Sequence, residues 1–120
     1  MSGARRRNTV LEAMERFRTD CEAISFTHIL AFLYICENEG IMVAELATVL
    51  RMTRATASRT ARALASRETP DSLPPYLGLI EVSGTRNDQR VRALHVSAKG
   101  AELRDRIDGI IREQRQIVDA

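Results

Sequence analysis

Between Arg51 and Arg67 the chain carries five arginines (Arg51, Arg54, Arg59, Arg62 and Arg67) and no acidic residue. Guanidinium groups clustered in this way can neutralise phosphates or fork onto guanine edges. The chemistry on offer is recognition of a polyanion, not the making or breaking of bonds. Ala57, Ala61 and Leu64 recur at helical spacing and form a narrow apolar stripe. That leaves Arg54, Ala55, Ser58, Arg59 and Arg62 on the outer face, where small side chains let a helix approach a groove closely. Thr53 stands where an N-cap would, its hydroxyl able to accept from an unpaired first-turn amide. Taken alone, the run reads equally well as the solvated basic face of a structural helix. The elements around it decide between the two.

A chain of 120 residues bounds the answer to one compact domain. Hydrophobic residues at 44% and charged residues at 28% are ordinary for a globular protein and argue against wholesale disorder. Aromatics at 4%, with no Trp, leave the core to Leu, Ile, Val and Ala, which suits helices better than packed sheets. The formal net charge is only +2, so local clustering and not global charge carries the nucleic-acid argument. There is no phosphate-cradling glycine loop, nucleophile motif or metal cluster, and two isolated histidines make no acid–base pair. An enzyme is therefore not expected, nor a cofactor or bound metal. Cys21 and Cys36 have neither metal-ligand spacing nor a CxxC arrangement, and no apolar run approaches a membrane-spanning length. The basic start is followed by no apolar signal region. The expectation is a cytoplasmic protein, with no membrane partner and with reduced thiols.

The expected architecture is mainly α with a small β component (α+β). Residues 1–8, with Arg5, Arg6 and Arg7 adjacent, read as a flexible basic arm, and residues 9–120 as one domain. A first helix from Thr9 to Cys21 turns Val10, Leu11, Met14, Phe17 and Cys21 to one side. Ser25 opens a strongly apolar second helix, with His28 where a Glu or Gln would close a capping box. Gly40 ends it. Ile41-Met42 is a short extended piece. A helix from Val43 to Leu50, facing Leu46, Ala47 and Leu50 inward, meets the arginine helix across the tight Arg51-Met52 turn. Two helices so joined are a helix-turn-helix signature. Residues 68–76 are turn-rich, and Pro74-Pro75 forbids helix. Beyond them, Leu79 to Ser83 and Val91 to Ser97 are strand-prone runs flanking a polar tip with Arg86, Arg90 and Arg92 in or beside it. Asp88 stands two residues before Arg90, suited to hold that guanidinium by a charge-assisted bond. A hairpin after a helix-turn-helix makes a winged helix, whose wing lies along backbone or in the minor groove. A last helix, Ala98 to Val118, aligns Leu103, Ile107, Ile110, Ile111, Ile117 and Val118. Such a stripe needs a partner, and a homodimer built from the terminal helices (9–23 and 98–120) around the DNA-binding part (24–97) is the preferred reading. Leu11, Met14, Phe17, Leu103, Ile107, Ile110 and Ile111 are its candidate contacts.

Laid out this way, the chain resembles the MarR family of winged-helix transcriptional regulators from Ile24 to about Leu103. Residues 24–64 look like the family's helix 2, helix 3 and recognition helix in order. Residues 79–100 look like its wing, with the D-x-R pattern at Asp88 and Arg90 and an L-T-x-x-G-like close at Val96, Ser97 and Gly100. The resemblance implies that Arg90 enters the minor groove, supported by Asp88, and that Thr53, Arg54, Thr56, Ser58 and Arg59 lie at the major groove. It also implies a homodimer, and a small anionic aromatic effector or a cysteine oxidant as release signals. Three departures stand out: the insertion at residues 68–76, Arg51 in place of a linking glycine, and a single C-terminal helix. The first would shift the wing against the groove. The second would reshape the turn, and the third would shrink the dimer interface and unsettle the effector pocket.

The leading expectation is thus a homodimeric, sequence-specific DNA-binding regulator of repressor type on a palindromic operator. Its DNA contacts would be Thr53, Arg54, Thr56, Ser58, Arg59, Arg62, Arg86, Asp88 and Arg90, on double-stranded DNA. The alternative is a winged helix used as a protein-interaction or assembly module, motivated by the low net charge and the insertion. A thiol redox sensor at Cys21, activated by Arg18, is an overlay on the first reading. Its competitor is plain burial of both cysteines in apolar stripes.

Overall fold

A computed structural model of the chain describes residues 7–84 and 92–118. Five helices and three short strands follow one another: α1 (Thr9–Asp20), α2 (Phe26–Glu37), β1 (Ile41–Met42), α3 (Val43–Leu50), α4 (Arg54–Leu64), β2 (Ile80–Ser83), β3 (Ala93–Val96) and α5 (Ala98–Ile111). The helix starts are set by side chains placed to take otherwise orphaned amides. Asn8 accepts from the Leu11 amide at 2.8 Å. At α2 the Ser25 hydroxyl accepts from the His28 amide, and the His28 ring nitrogen Nδ1 accepts in return from the Ser25 amide, both at 3.1 Å. The imidazole closes the capping box as anticipated.

The strands form one antiparallel sheet of order β1-β3-β2, with Ile41 opposite Leu94 and Val82 also opposite Leu94. Because β1 has only two residues, it leaves the far end of β3 uncovered. The Glu39 carboxylate fills that place and accepts from the Val96 amide at 2.6 Å. Gly40, at φ 90°, donates its amide to the Leu94 carbonyl. A side chain would be strained at that φ. The strands are shorter than the runs that signalled them, and Val91 lies outside the described residues.

The core runs through all these elements. Phe17, Phe32, Ile35, Leu46, Leu64, Leu79, Ile80, Leu94 and Leu103 are fully buried. Phe17 of α1 meets Phe32 of α2 edge to face, ring centroids 6.2 Å apart, an arrangement that adds about 0.5–1.5 kcal/mol to burial.

The terminal helices depart from the expectation. On α1 the buried face is Ala13 and Phe17, continued by Cys21, while Val10 and Leu11 are exposed. On α5, Leu103, Ile107 and Ile110 are 2%, 4% and 8% exposed within the single chain. With Phe17 they bury one another inside the protomer, so these four candidate dimer contacts are core residues. Met14 is half-buried against the same core, and only Leu11 and Ile111 of that set face outward. The helix also ends at Ile111 and not at Val118. The chain turns back through Gln114, at φ 50°, and Arg115 fastens the tail to α1. Its amide donates to Thr9 Oγ1 at 2.7 Å and its carbonyl accepts from the Thr9 amide at 2.9 Å. Its guanidinium lies 3.0 Å from Glu12, also pairs with Glu113, and donates to the Arg7 carbonyl. Ile117 and Val118 are left exposed instead of continuing the stripe.

Candidate nucleic-acid interface

The link between α3 and α4 is closed by Arg51 in the left-handed conformation, φ 57° and ψ 47°. The Met52 amide donates to the Ala47 carbonyl and the Arg51 amide to the Thr48 carbonyl. These are the two bonds of a Schellman stop, which usually places glycine at the left-handed position. The turn therefore keeps the shape a glycine would give it, at a cost of about 1–2 kcal/mol for the side chain.

Thr53 caps α4 by accepting from the Thr56 amide at 3.1 Å. A second layer of bonds runs outward from the cap. The Thr53 hydroxyl meets the Thr56 hydroxyl at 3.0 Å, and Arg59 Nη2 donates to that same Thr56 oxygen at 3.2 Å. One fork nitrogen of Arg59 is thereby steadied on the helix surface. The stripe seen in the sequence is buried: Ala57, Ala61 and Leu64, joined by Thr60 and Ala63. Thr53, Arg54, Ala55 and Arg59 are exposed, and Thr56, Ser58 and Arg62 are half-buried at the helix edges.

Between α4 and the base of the wing runs a groove of about 550 Å³. Arg54, Ser58 and Arg62 line one wall at four-residue spacing, Arg92 and Val82 come from the wing, and Val43, Ala61 and Leu94 make an apolar floor. Asp71 lines the same groove. Arg92 and Asp71 were missed as site residues. The wing arginines as a group signalled Arg92, whereas nothing in the spacing around Asp71 pointed toward α4. Arg86, Asp88 and Arg90, the expected wing-tip contacts, lie outside the described residues, as do residues 1–6 of the basic arm.

Residues 73–79 tie α4 to the base of the wing by backbone hydrogen bonds. The Leu73, Leu77 and Leu79 amides donate to the Arg62, Ala63 and Leu64 carbonyls. These are end-of-helix acceptors that would otherwise have no partner. Arg67 lies over the Tyr76 ring, 4.2 Å from its centroid. On the far side, Ser97 Oγ donates to the Gly78 carbonyl and Lys99 Nζ to the Leu77 carbonyl. Gly100 leaves so little room that a Cβ there would lie 2.1 Å from the Leu79 oxygen. One short segment thus joins α4, the wing and α5.

The thiols are poorly placed for redox sensing. Burial pushes the Cys21 thiol up; Lys99 acts against that rise and Asp20 adds to it. Arg18, the expected activator, pairs with Glu15 at 2.7 Å. Burial pushes Cys36 up to about 11. Both favour the unreactive thiol form. Among the described residues no group of His, Cys, Asp and Glu converges as metal ligands, and no helix is long and apolar enough to cross a membrane.

A capped basic helix set against a three-stranded sheet, with a long helix packed behind, defines a winged helix-turn-helix. Its fold is that of the MarR-type transcriptional regulators. A Staphylococcus aureus MarR protein in complex with salicylate and kanamycin superposes with a TM-score of 0.65 at 18% identity, over 87% of this chain and 61% of that one. A MepR variant from S. aureus bound to an oligodeoxyribonucleotide gives 0.63 at 18% identity, over 88% and 69%. Streptococcus pneumoniae FabT in complex with DNA gives 0.61 at 20% identity, over 88% and 68%. The chain spans about 61% of the length of the first of these. No protein-family model matches the sequence, and no curated protein does.

Proposed function

We propose that this protein is a sequence-specific DNA-binding transcriptional regulator, a homodimeric repressor that reads a palindromic operator with α4 in the major groove and the wing at the minor groove. The observation that carries the reading is α4 itself. Its cap is made by Thr53, its outer face joins Arg54 and Arg59 to the small Ala55 and Ser58, and its inner face is locked into the core. Two such helices, one from each protomer, would enter successive major grooves about 34 Å apart. Two neighbours of the same fold are DNA complexes, which supports the assignment. A salicylate complex among the neighbours supports a small aromatic anion as effector.

Dimerisation is proposed through the exposed apolar end of the terminal helices. Val10, Leu11 and Ile111 face outward there, and Arg115 is fastened to the start of α1, with Ile117 and Val118 exposed just beyond it. An apolar surface of this kind is what an interface between two copies would cover.

The deciding experiment is selection of bound sequences from a random duplex pool, followed by a salt titration on the enriched sequence. Enrichment of a palindrome, with affinity falling steeply as salt rises, is expected. Binding with no salt slope, or no enrichment beside a stable complex with another protein, would replace the DNA reading with the interaction-module one.

A further inference from the structure

The groove between α4 and the wing contains a carboxylate that a phosphate-binding surface has no use for. Arg54, Arg62 and Arg92 line it from two sides, and Asp71 enters from the insertion. Asp71 is not there by slack chain geometry. Its backbone is held at φ 64°, a left-handed conformation that aspartate, like asparagine, adopts more readily than most side-chain-bearing residues. The loop's own hydrogen bonds hold it there. The Thr69 amide donates to the Ser66 carbonyl and the Ser72 amide to the Thr69 carbonyl. Ser72 Oγ donates to the Arg67 carbonyl, and the Leu73 amide is tied to Arg62 itself. The loop therefore places a carboxylate in the same groove that Arg54, Arg62 and Arg92 line.

We propose that Asp71 is an intramolecular stand-in for a DNA phosphate, competing with the backbone for the groove arginines Arg62 and Arg92 and so setting how much of the affinity is indifferent to sequence. This rests on the DNA-binding reading above. A carboxylate and a phosphate oxygen offer a guanidinium the same charge-assisted bonds, so a guanidinium engaged by Asp71 is withheld from the backbone. Phosphate contacts supply essentially all non-specific affinity, whereas base contacts discriminate between sequences. A carboxylate that blunts one phosphate contact lowers binding to every duplex. It leaves the bases read by the exposed face of α4 unchanged.

The test uses the full chain, with wild type, Asp71→Asn and Asp71→Gly titrated against a selected duplex and a scrambled one across a range of salt. Asparagine and glycine both accept the left-handed backbone, so neither variant should misfold, and equal melting temperatures would establish that. Loss of the carboxylate should steepen the logarithmic salt slope by about 0.9, the increment for one further phosphate neutralised. Binding to both duplexes should then tighten by roughly 5- to 10-fold near 0.1 M salt. Three results would overturn the proposal: an unchanged slope and affinity; weaker binding with a lowered melting temperature, which makes Asp71 a loop support; or an altered base preference at unchanged slope, which makes it a base reader. A wild-type protein with no salt-dependent binding to any duplex would instead remove the DNA reading itself.

Discussion

Arg54 and Arg59 lie on the same outer surface of α4 but are held differently. Arg59 is steadied by the Thr56 hydroxyl, itself bonded to the capping Thr53. Arg54 stands at the first helical position and lines the groove toward the wing. Only a side chain that forks onto a base edge changes which sequence is preferred; one that meets a phosphate changes affinity alone. Arg54→Ala should weaken the selected site by about 1–3 kcal/mol and flatten the preference at one position of each half-site. Repeating the random-pool selection with the variant checks this, and an unchanged sequence logo would assign Arg54 to the backbone.

Within the elements, the cap of helix α2 contains a group that titrates, His28. Its capping box works only while His28 Nδ1 can accept, which requires the neutral ring. Burial pushes the His28 pKa below its ordinary 6.5. Above that value both folded and unfolded chains hold it neutral. Below it the unfolded chain takes up a proton that the folded chain resists, so this contribution to stability is lost as pH falls through and under 6.5. His28→Gln retains the reciprocal cap without the titration. Its melting temperature should drop less than that of wild type between about pH 7.5 and pH 5. Parallel curves for the two proteins would place the acid sensitivity elsewhere. The Arg51 turn and the insertion make a related point about elements. Each supplies hydrogen bonds that close a helix end.

For the whole molecule, the terminal helices divide their apolar residues between two tasks. Phe17, Leu103, Ile107 and Ile110 complete the protomer, and Leu11 and Ile111 remain outside. Substitutions on the two sides should therefore separate. Ile107→Ala should cost about 2–5 kcal/mol of unfolding free energy, as for a large-to-small core change. Leu11→Glu with Ile111→Glu should leave protomer folding intact while shifting the mass measured by light scattering from two copies to one. The same double variant should lose affinity for a two-half-site operator far more than for a single half-site. A double variant that remains dimeric would move the interface to another face.

Much of this was legible in the sequence because it is local. The cap residues Thr53 and Ser25, the unusual His28 cap, the stripe of Ala57, Ala61 and Leu64, and the two strand-prone runs all depend on neighbours within a turn or two of chain. Periodicity alone could say that α1 and α5 each had an apolar side. It could not say whether that side would meet its own chain or a second copy, because both burials remove the same surface from water. The tertiary structure decided for the protomer at Phe17, Leu103, Ile107 and Ile110, where α1 and α5 lie against each other. Arg115 ended α5 early through contacts with Arg7, Thr9 and Glu12, more than a hundred residues away in sequence. Asp71 entered the groove by the same kind of long-range closure, through a loop whose amides complete α4. Pattern determined which residues form each helix and strand. Which surfaces those elements spend on one another, and which remain exposed, was decided only when separate parts of the chain competed for the same contacts.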